Sequence, residues 1–195
     1  MKLRQLLAIS LLLVTSSQAF ATWNLDNENS SLTFVSTKAV DLAEVHHFTE
    51  MAGRISDKGK AVVTIELTSV ETGVPIRNER MLEMLFETEK YPLATVRSKI
   101  DMAIIDAIKS GSSLQMNSEF TLDLHGVRVS FDANVVVAKL NEKSLMLTNS
   151  APIILNAASA NLVGGIEELR KVASLPSIGN AVPVSFVLMF EKSAD

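Results

Sequence analysis

The 195-residue sequence contains no cysteine. That excludes a disulfide framework and thiol chemistry in any redox compartment. It also excludes attachment to a membrane through a lipidated cysteine. Histidine is scarce, with three residues. His46 and His47 are neighbours, so on a strand they face opposite ways and do not enter one site. His125 follows Asp123 at a spacing of two but stands at the His125-Gly126 turn. No third ligand lies at a recognisable spacing, so the expectation is surface and turn histidines and no metal site. No G-x-S-x-G elbow surrounds any serine. Gly164-Gly165 has neither spacing of a phosphate-binding loop. Acidic residues fall mostly on strand faces that read as solvated, which leaves no buried acid–base pair. No catalytic residue is assigned, and the chain is not expected to be an enzyme.

Long apolar runs are missing after the first 21 residues. Within those 21, Lys2 and Arg4 precede an apolar stretch at residues 6–14 and the pattern Ala19-Phe20-Ala21. The stretch is about half the ~20 residues that a membrane span needs. Basic start, short apolar core and A-x-A together read as a cleaved secretory signal at residues 1–21, with a mature chain from Thr22. The signal holds two bases and no acid, so the remaining 174 residues carry 16 Lys and Arg against 22 Asp and Glu, a net −6. One domain, residues 22–195, is expected at that length. A net negative chain is a poor partner for nucleic acid, and nothing marks it as an integral membrane protein.

What the chain has is alternation. Trp23 to Asp26 reads as a short entry strand turned by Asn27 to Asn29, and residues 32–37 as a second strand. Residues 45–55, 61–68, 94–101, 114–124, 128–137, 145–155 and 182–191 follow, most with apolar residues at every second position. Strands at this spacing point to an antiparallel barrel or sandwich. Two helical insertions interrupt them. Pro75 opens one at 75–86, where Met81, Met84 and Leu85 share a face. The other, 166–173, turns Ile166, Leu169 and Val172 one way. Residues 105–113 read as a short helix or a loop.

The segment S-V-E-T-G-V-P-I-R-N-E-R-M-L-E-M-L-F at 69–86, followed by Y-P-L-A-T-V at 91–96, resembles the YceI-like family. So do Phe48-x-x-Met51-x-Gly53 and F-T-L-D-L-H-G-V at 120–127, although His46-His47 stand where the family usually has a Gly-x pair. The resemblance implies an all-β fold: an eight-stranded antiparallel lipocalin-like barrel with short helical insertions. It also implies a polyisoprenoid-binding role in the bacterial periplasm. The expected function is a periplasmic protein that sequesters or carries an isoprenoid lipid, a quinone or a polyprenyl chain, with no cofactor besides that ligand. A homodimer is left open. The alternative is a non-enzymatic interaction or stress-response module with a packed barrel and no lipid.

Eight Met and eight Phe fall mostly on apolar strand faces and the helix at 75–86. An eight-stranded barrel has room for packed side chains or for one ligand, and Met adapts to flexible apolar partners. The candidate lining residues are Phe34, Phe48 and Met51 early in the chain, then Ile65 and Leu67. Met81, Leu85 and Phe86 come from the first helix and Val96 from the strand after it. Phe120, Leu122, Phe131, Val135, Phe186 and Leu188 complete the set.

Overall fold

The computed structural model describes residues 22–193; the signal reading at 1–21 lies outside them. The described strands and α-helices run β1 (Trp23–Lys38), β2 (Leu42–Phe48), β3 (Met51–Ile55), β4 (Lys60–Glu66), β5 (Val70–Glu71), α1 (Pro75–Arg80), β6 (Leu93–Lys99), α2 (Met102–Ala107), β7 (Ser112–Leu124), β8 (Val127–Lys139), β9 (Ser144–Asn149), β10 (Ile153–Asn156), α3 (Val163–Val172) and β11 (Ala181–Lys192). The strands pair antiparallel in the order β1, β3, β4, β6, β7, β8, β9, β11, and β11 returns to β1, while the two-residue β5 pairs with β2. Both β2 and β3 pair with β1, and both β9 and β10 pair with β11. Each couple is one bent strand, so the circuit is a closed antiparallel barrel of eight.

The alternation in the sequence is what allows closure, because inward and outward residues alternate along every barrel strand. On β8 the outward Arg128, Ser130, Asp132 and Asn134 are exposed, while Ala133, Val135 and Val137 are buried. Three segmentations differ from the sequence reading, one of them the strand read at 145–155, which breaks into β9 and β10 at residues 150–152. Residues 23–38 form one long strand, not two. The polar stretch expected to turn the chain is instead a bulge, with the register on β11 slipping between Asp26 and Ser31. The Asp26 carboxylate accepts from the backbone N–H and side-chain amide of Asn29. Ser30 Oγ accepts from Met189 N–H at 2.9 Å, in place of a backbone carbonyl. Conversely, the strand expected at 45–55 breaks at Thr49-Glu50. Asn27 stitches bulge to break: its Oδ1 accepts from Met51 N–H at 2.8 Å and its Nδ2 donates to Thr49 O at 2.9 Å.

One end of the barrel is sealed. Asp101 caps α2 by accepting from Ala103 N–H. The helix sets Ile105, with Ile108 just beyond it, into a cluster with Trp23, Ile55, Val137, Leu145 and Phe190. The other end is covered by α1, the turn that follows it, and α3. After Arg80 the helix widens, and Phe86 N–H donates to Met81 O, five residues back, at 2.9 Å. In a regular α-helix Phe86 would lie about 140° from Met81. The wider turn instead buries Met81, Leu85 and Phe86 together, and Phe86 takes the inward place expected of Met84. Gly165 brings α3 against this turn: a Cβ there would lie 2.4 Å from Met84 O and 2.7 Å from Leu85 Cα.

Candidate functional site

Between the two ends the barrel is hollow. A cavity of about 570 Å³ runs from Ile55, Ile100 and Phe190 at the sealed end to the cap. That volume lies in the ordinary range for small-molecule sites, about 300–1,000 Å³. Exposure supports the same conclusion. Phe34, Phe48, Val96, Phe120, Phe131, Phe186 and Leu188 point inward yet are only half-buried. On a closed barrel, an inward side chain with free surface is exposed to the lumen. Aromatic pairs panel the wall: Phe34 on Phe48 with centroids 5.4 Å apart, and Phe120 on Phe131 at 5.6 Å. Room is left where the wall carries small inward residues, notably Ala61 on β4 opposite Ser98 on β6.

The structure places all fifteen candidate residues on the wall of this cavity. Phe34, Phe48 and Met51 come from β1, β2 and β3; Ile65 from β4, with Leu67 just after; Met81, Leu85 and Phe86 from the cap; and Val96 from β6. Phe120 and Leu122 come from β7, Phe131 and Val135 from β8, and Phe186 and Leu188 from β11. The wall also includes residues that the sequence reading left out. From α3 and its flanks come Leu162, Ile166, Leu169 and Val172.

Polar groups gather at the cap end; of these the sequence suggests only the Arg77 to Arg80 cluster, as a grip for an anionic head group or as a solvated helix face. Ser36 and Lys38 on β1, His46 on β2, and Arg77 and Arg80 on α1 all line the cavity. The expectation of surface histidines fails for His46, which is 1% exposed. Its Nε2 lies 2.8 Å from Ser36 Oγ, and its Nδ1 is buried with no hydrogen-bond partner. Its ring lies against Phe34, centroids 5.2 Å apart. Burial, first, and then the charge of Arg77 hold the imidazole below its ordinary range. Outside the lining, Glu44 Oε2 accepts from Lys38 Nζ and from an Arg77 NH group, each at 2.5 Å. The hydrogen bond from Lys38, foremost, keeps the Glu44 carboxyl below the usual range. Parity with Phe34 and Phe48 was the available signal, since Ser36, Lys38 and His46 lie at spacings of two from them.

His125 stands in the turn, as the sequence reads it, but its side chain is buried. Its ring lies tilted against Tyr91 with centroids 4.6 Å apart, and its Nε2 lies 3.2 Å from Glu87 Oε1. Asp123 turns away to Arg97 and Arg128 on the outer wall. Among the described residues no group of three or more His, Cys, Asp or Glu is placed to hold a metal ion. No described helix is long and apolar enough to cross a membrane.

A closed antiparallel barrel of eight strands, sealed at one end and hollow within, defines the lipocalin-like class of barrels that can enclose a single small ligand. The family model of the YceI-like domain matches residues 23–190, and the chain belongs to that family. Among solved structures it is similar to a polyisoprenoid-binding domain from Saccharophagus degradans implicated in plant cell wall breakdown. That match has 40% identity and a TM-score of 0.86, over 88% of this chain and 98% of that one. Burkholderia cenocepacia BcnA shares the fold at 17% identity and a TM-score of 0.63, over 85% of this chain and 98% of that one. The Campylobacter jejuni YCEI protein shares it at 14% identity and 0.54, over 77% and 85%. No curated protein matches.

Proposed function

We propose that the protein shelters an isoprenoid lipid, a polyprenyl chain or the tail of a quinone, in the barrel lumen, and that it does so in the periplasm. The observation that carries this reading is the cavity: about 570 Å³ with an almost wholly apolar wall. The 40%-identical Saccharophagus domain is described as polyisoprenoid binding, which supports it. The mechanism is burial of apolar surface, worth roughly 0.8 kcal/mol per CH₂. Part of that gain offsets the lost freedom of the ligand, and affinity saturates for long tails. The sealed end makes the lumen a blind tube, so the tail enters first and the head stays at the cap. Val74, Ile76 and Val172 line this end and are exposed, giving the entrance an apolar rim. A packed interaction module is disfavoured, because packed barrels do not leave inward phenylalanines half-exposed.

Capacity gives the test. A dry cavity of about 150 Å³ takes one benzene ring. On that scale the lumen takes roughly 20–25 carbons, or four to five isoprene units. Delipidated protein titrated with prenols of two to eight units should bind each more tightly than the last up to about four or five units, and then level off. Mass spectrometry of an organic extract of protein purified from a periplasmic fraction should show a prenyl compound. Affinity independent of chain length, with no co-purified prenyl lipid, would overturn the reading.

A further inference from the structure

The cap end of the lumen carries more positive charge than a structural role uses. Lys38 and Arg77 are largely buried, with side chains 20% and 25% exposed. Both lean on the same oxygen of one carboxylate, Glu44. Arg80 lines the same space half-buried and has no ion pair among the described residues. Two of these three cations therefore share one acid and the third has none among the described residues, in a chain whose net charge is negative. Between them and the apolar wall stands His46, with an unpartnered buried Nδ1, and Arg77 has an unpartnered buried Nε as well. Holding cations beside an apolar wall is costly unless a counter-charge joins them. An acid from the chain could have supplied it, as Glu44 does in part; the remaining positive charge faces the lumen.

We propose that Lys38, His46, Arg77 and Arg80 form a head-group subsite for an anionic, phosphate-bearing prenyl lipid. This rests on the lipid reading above and narrows it from isoprenoids in general to prenyl phosphates. Arg77 is held at its outer edge by Glu44 and by the carbonyl of Thr72, to which NH2 donates at 2.5 Å. That fixes the guanidinium while Nε stays free for the ligand. Arg80, one turn further on the same helix, is the unpaired cation that meets the phosphate. Arginine suits this role, because its planar fork matches phosphate oxygens. The groups facing His46 are Glu44 and His47 from its own strand, Lys38 from β1 and Arg77 from α1. In the empty protein burial and the neighbouring cations keep the ring neutral. A phosphate among them reverses the local field, so the imidazole takes up a proton and Nδ1–H becomes a donor to it. Binding should therefore raise the pKa of His46, and the same tail with a neutral head should leave it low.

The experiment uses delipidated protein of the full described chain and three probes of equal tail length: geranylgeranyl monophosphate, geranylgeraniol and a four-unit quinone. Affinities come from titration, and the His46 ring is followed by NMR across pH. The phosphate should bind about ten-fold or more tightly than the alcohol. Added salt should narrow the gap, because exposed parts of the charge are screened. Arg80→Gln should shrink the ratio of the two affinities towards one, and Arg80→Lys should restore most of it. Equal affinities for phosphate and alcohol in the unaltered protein would overturn the proposal. So would a quinone that binds tighter than the phosphate, or an Arg80→Gln variant that loses both lipids in proportion. If inorganic phosphate alone shifts the His46 titration at the same concentration, the site is a general anion site and the prenyl assignment fails. If none of the three prenyl probes binds, the cavity reading fails, and that outcome is distinct from loss of head-group preference.

Discussion

Ala61→Phe sets a hollow barrel against a packed one. Ala61 points inward from β4, opposite Ser98, and its small side chain lines the lumen beside the cluster at the sealed end. The substitution adds a six-carbon ring, which on the benzene scale takes about 150 Å³, roughly a quarter of the 570 Å³ available. If the space is empty, the ring gains most of the roughly 1.5–3 kcal/mol of a buried phenylalanine, less about 1 kcal/mol of side-chain ordering. The delipidated variant should then be as stable as the parent, or more so by up to ~2 kcal/mol. At about 2–4 °C per kcal/mol for a domain of this size, Tm should hold or rise by several degrees. If the interior is packed, the ring forces neighbours off their rotamers at a cost of ~1–3 kcal/mol, and Tm falls. Lipid capacity moves the other way: the remaining space takes roughly three isoprene units, so the chain-length plateau should drop by one or two. Thermal and urea melts of both delipidated proteins, with prenol titrations, read both effects. A delipidated variant destabilised by more than about 1 kcal/mol would refute the hollow barrel.

The two adjacent glycines of α3 should part company. Gly165→Ala places a Cβ against the backbone of Met84 and Leu85 and should cost ~1–3 kcal/mol in urea unfolding. Gly164→Ala meets nothing within 4 Å and should be neutral or stabilise by up to about 1 kcal/mol, the helix preference of alanine. Asn27→Ala removes both stitches between the β1 bulge and the β2–β3 break, leaving Met51 N–H without that acceptor. A loss of ~1–3 kcal/mol is expected, and an unchanged urea midpoint would count against the role. His46 predicts a pH slope. Its folded pKa lies below its unfolded value near 6.5, so below that pH the unfolded chain binds the proton more readily. Stability should fall as pH drops from 6.5 through the lower folded value, and His46→Gln should flatten that part of the profile. Glu44, with its pKa lowered from 4.5 by Lys38 and Arg77, contributes its own loss only further into acid. An identical slope in the variant would dismiss the histidine.

The barrel was legible because its strands alternate strictly, and parity alone put Phe120, Leu122, Phe131 and Val135 on the inner face. Where parity failed, side chains had replaced backbone partners. The Asp26–Ser31 stretch has the composition of a turn, but Ser30 and Asn27 use their polar atoms to keep the chain in the sheet. The break at Thr49-Glu50 has no proline or glycine to announce it; Asn27 and Ser69 hold it instead. Phe86 was among the residues read as lining, but the widened helical turn that lets it face inward beside Met81 is one that no spacing rule for an α-helix contains. At the polar end of the lumen Arg77 and Arg80 were weighed as a head-group grip, but Ser36, Lys38 and His46 were missed for a different reason. His46 shares the parity of Phe48, but a histidine pair was weighed for metal binding and set aside, not followed to the face that the parity assigns it. The α2 plug gives little signal, because six residues are too few to establish a helical period.

The closing seam of the barrel joins the first described strand to the last: Trp23 pairs with Lys192, and Ser193 N–H donates to Thr22 O. Both ends of the described chain therefore emerge side by side at the plugged base, with the doorway at the far pole. A reporter, a tether or a second domain fused at either end would hang from the base and leave the doorway clear. The seam also makes the barrel an all-or-nothing enclosure during synthesis. Until β11 is delivered, β1 and the β9–β10 strand both lack a partner along one edge, and such edges invite pairing between chains. A chain cut before Ala181 is thus expected to aggregate, not to persist as a leaky carrier, whereas a permutation that joins the two neighbouring ends and opens the circle at an outer loop should still fold and fill.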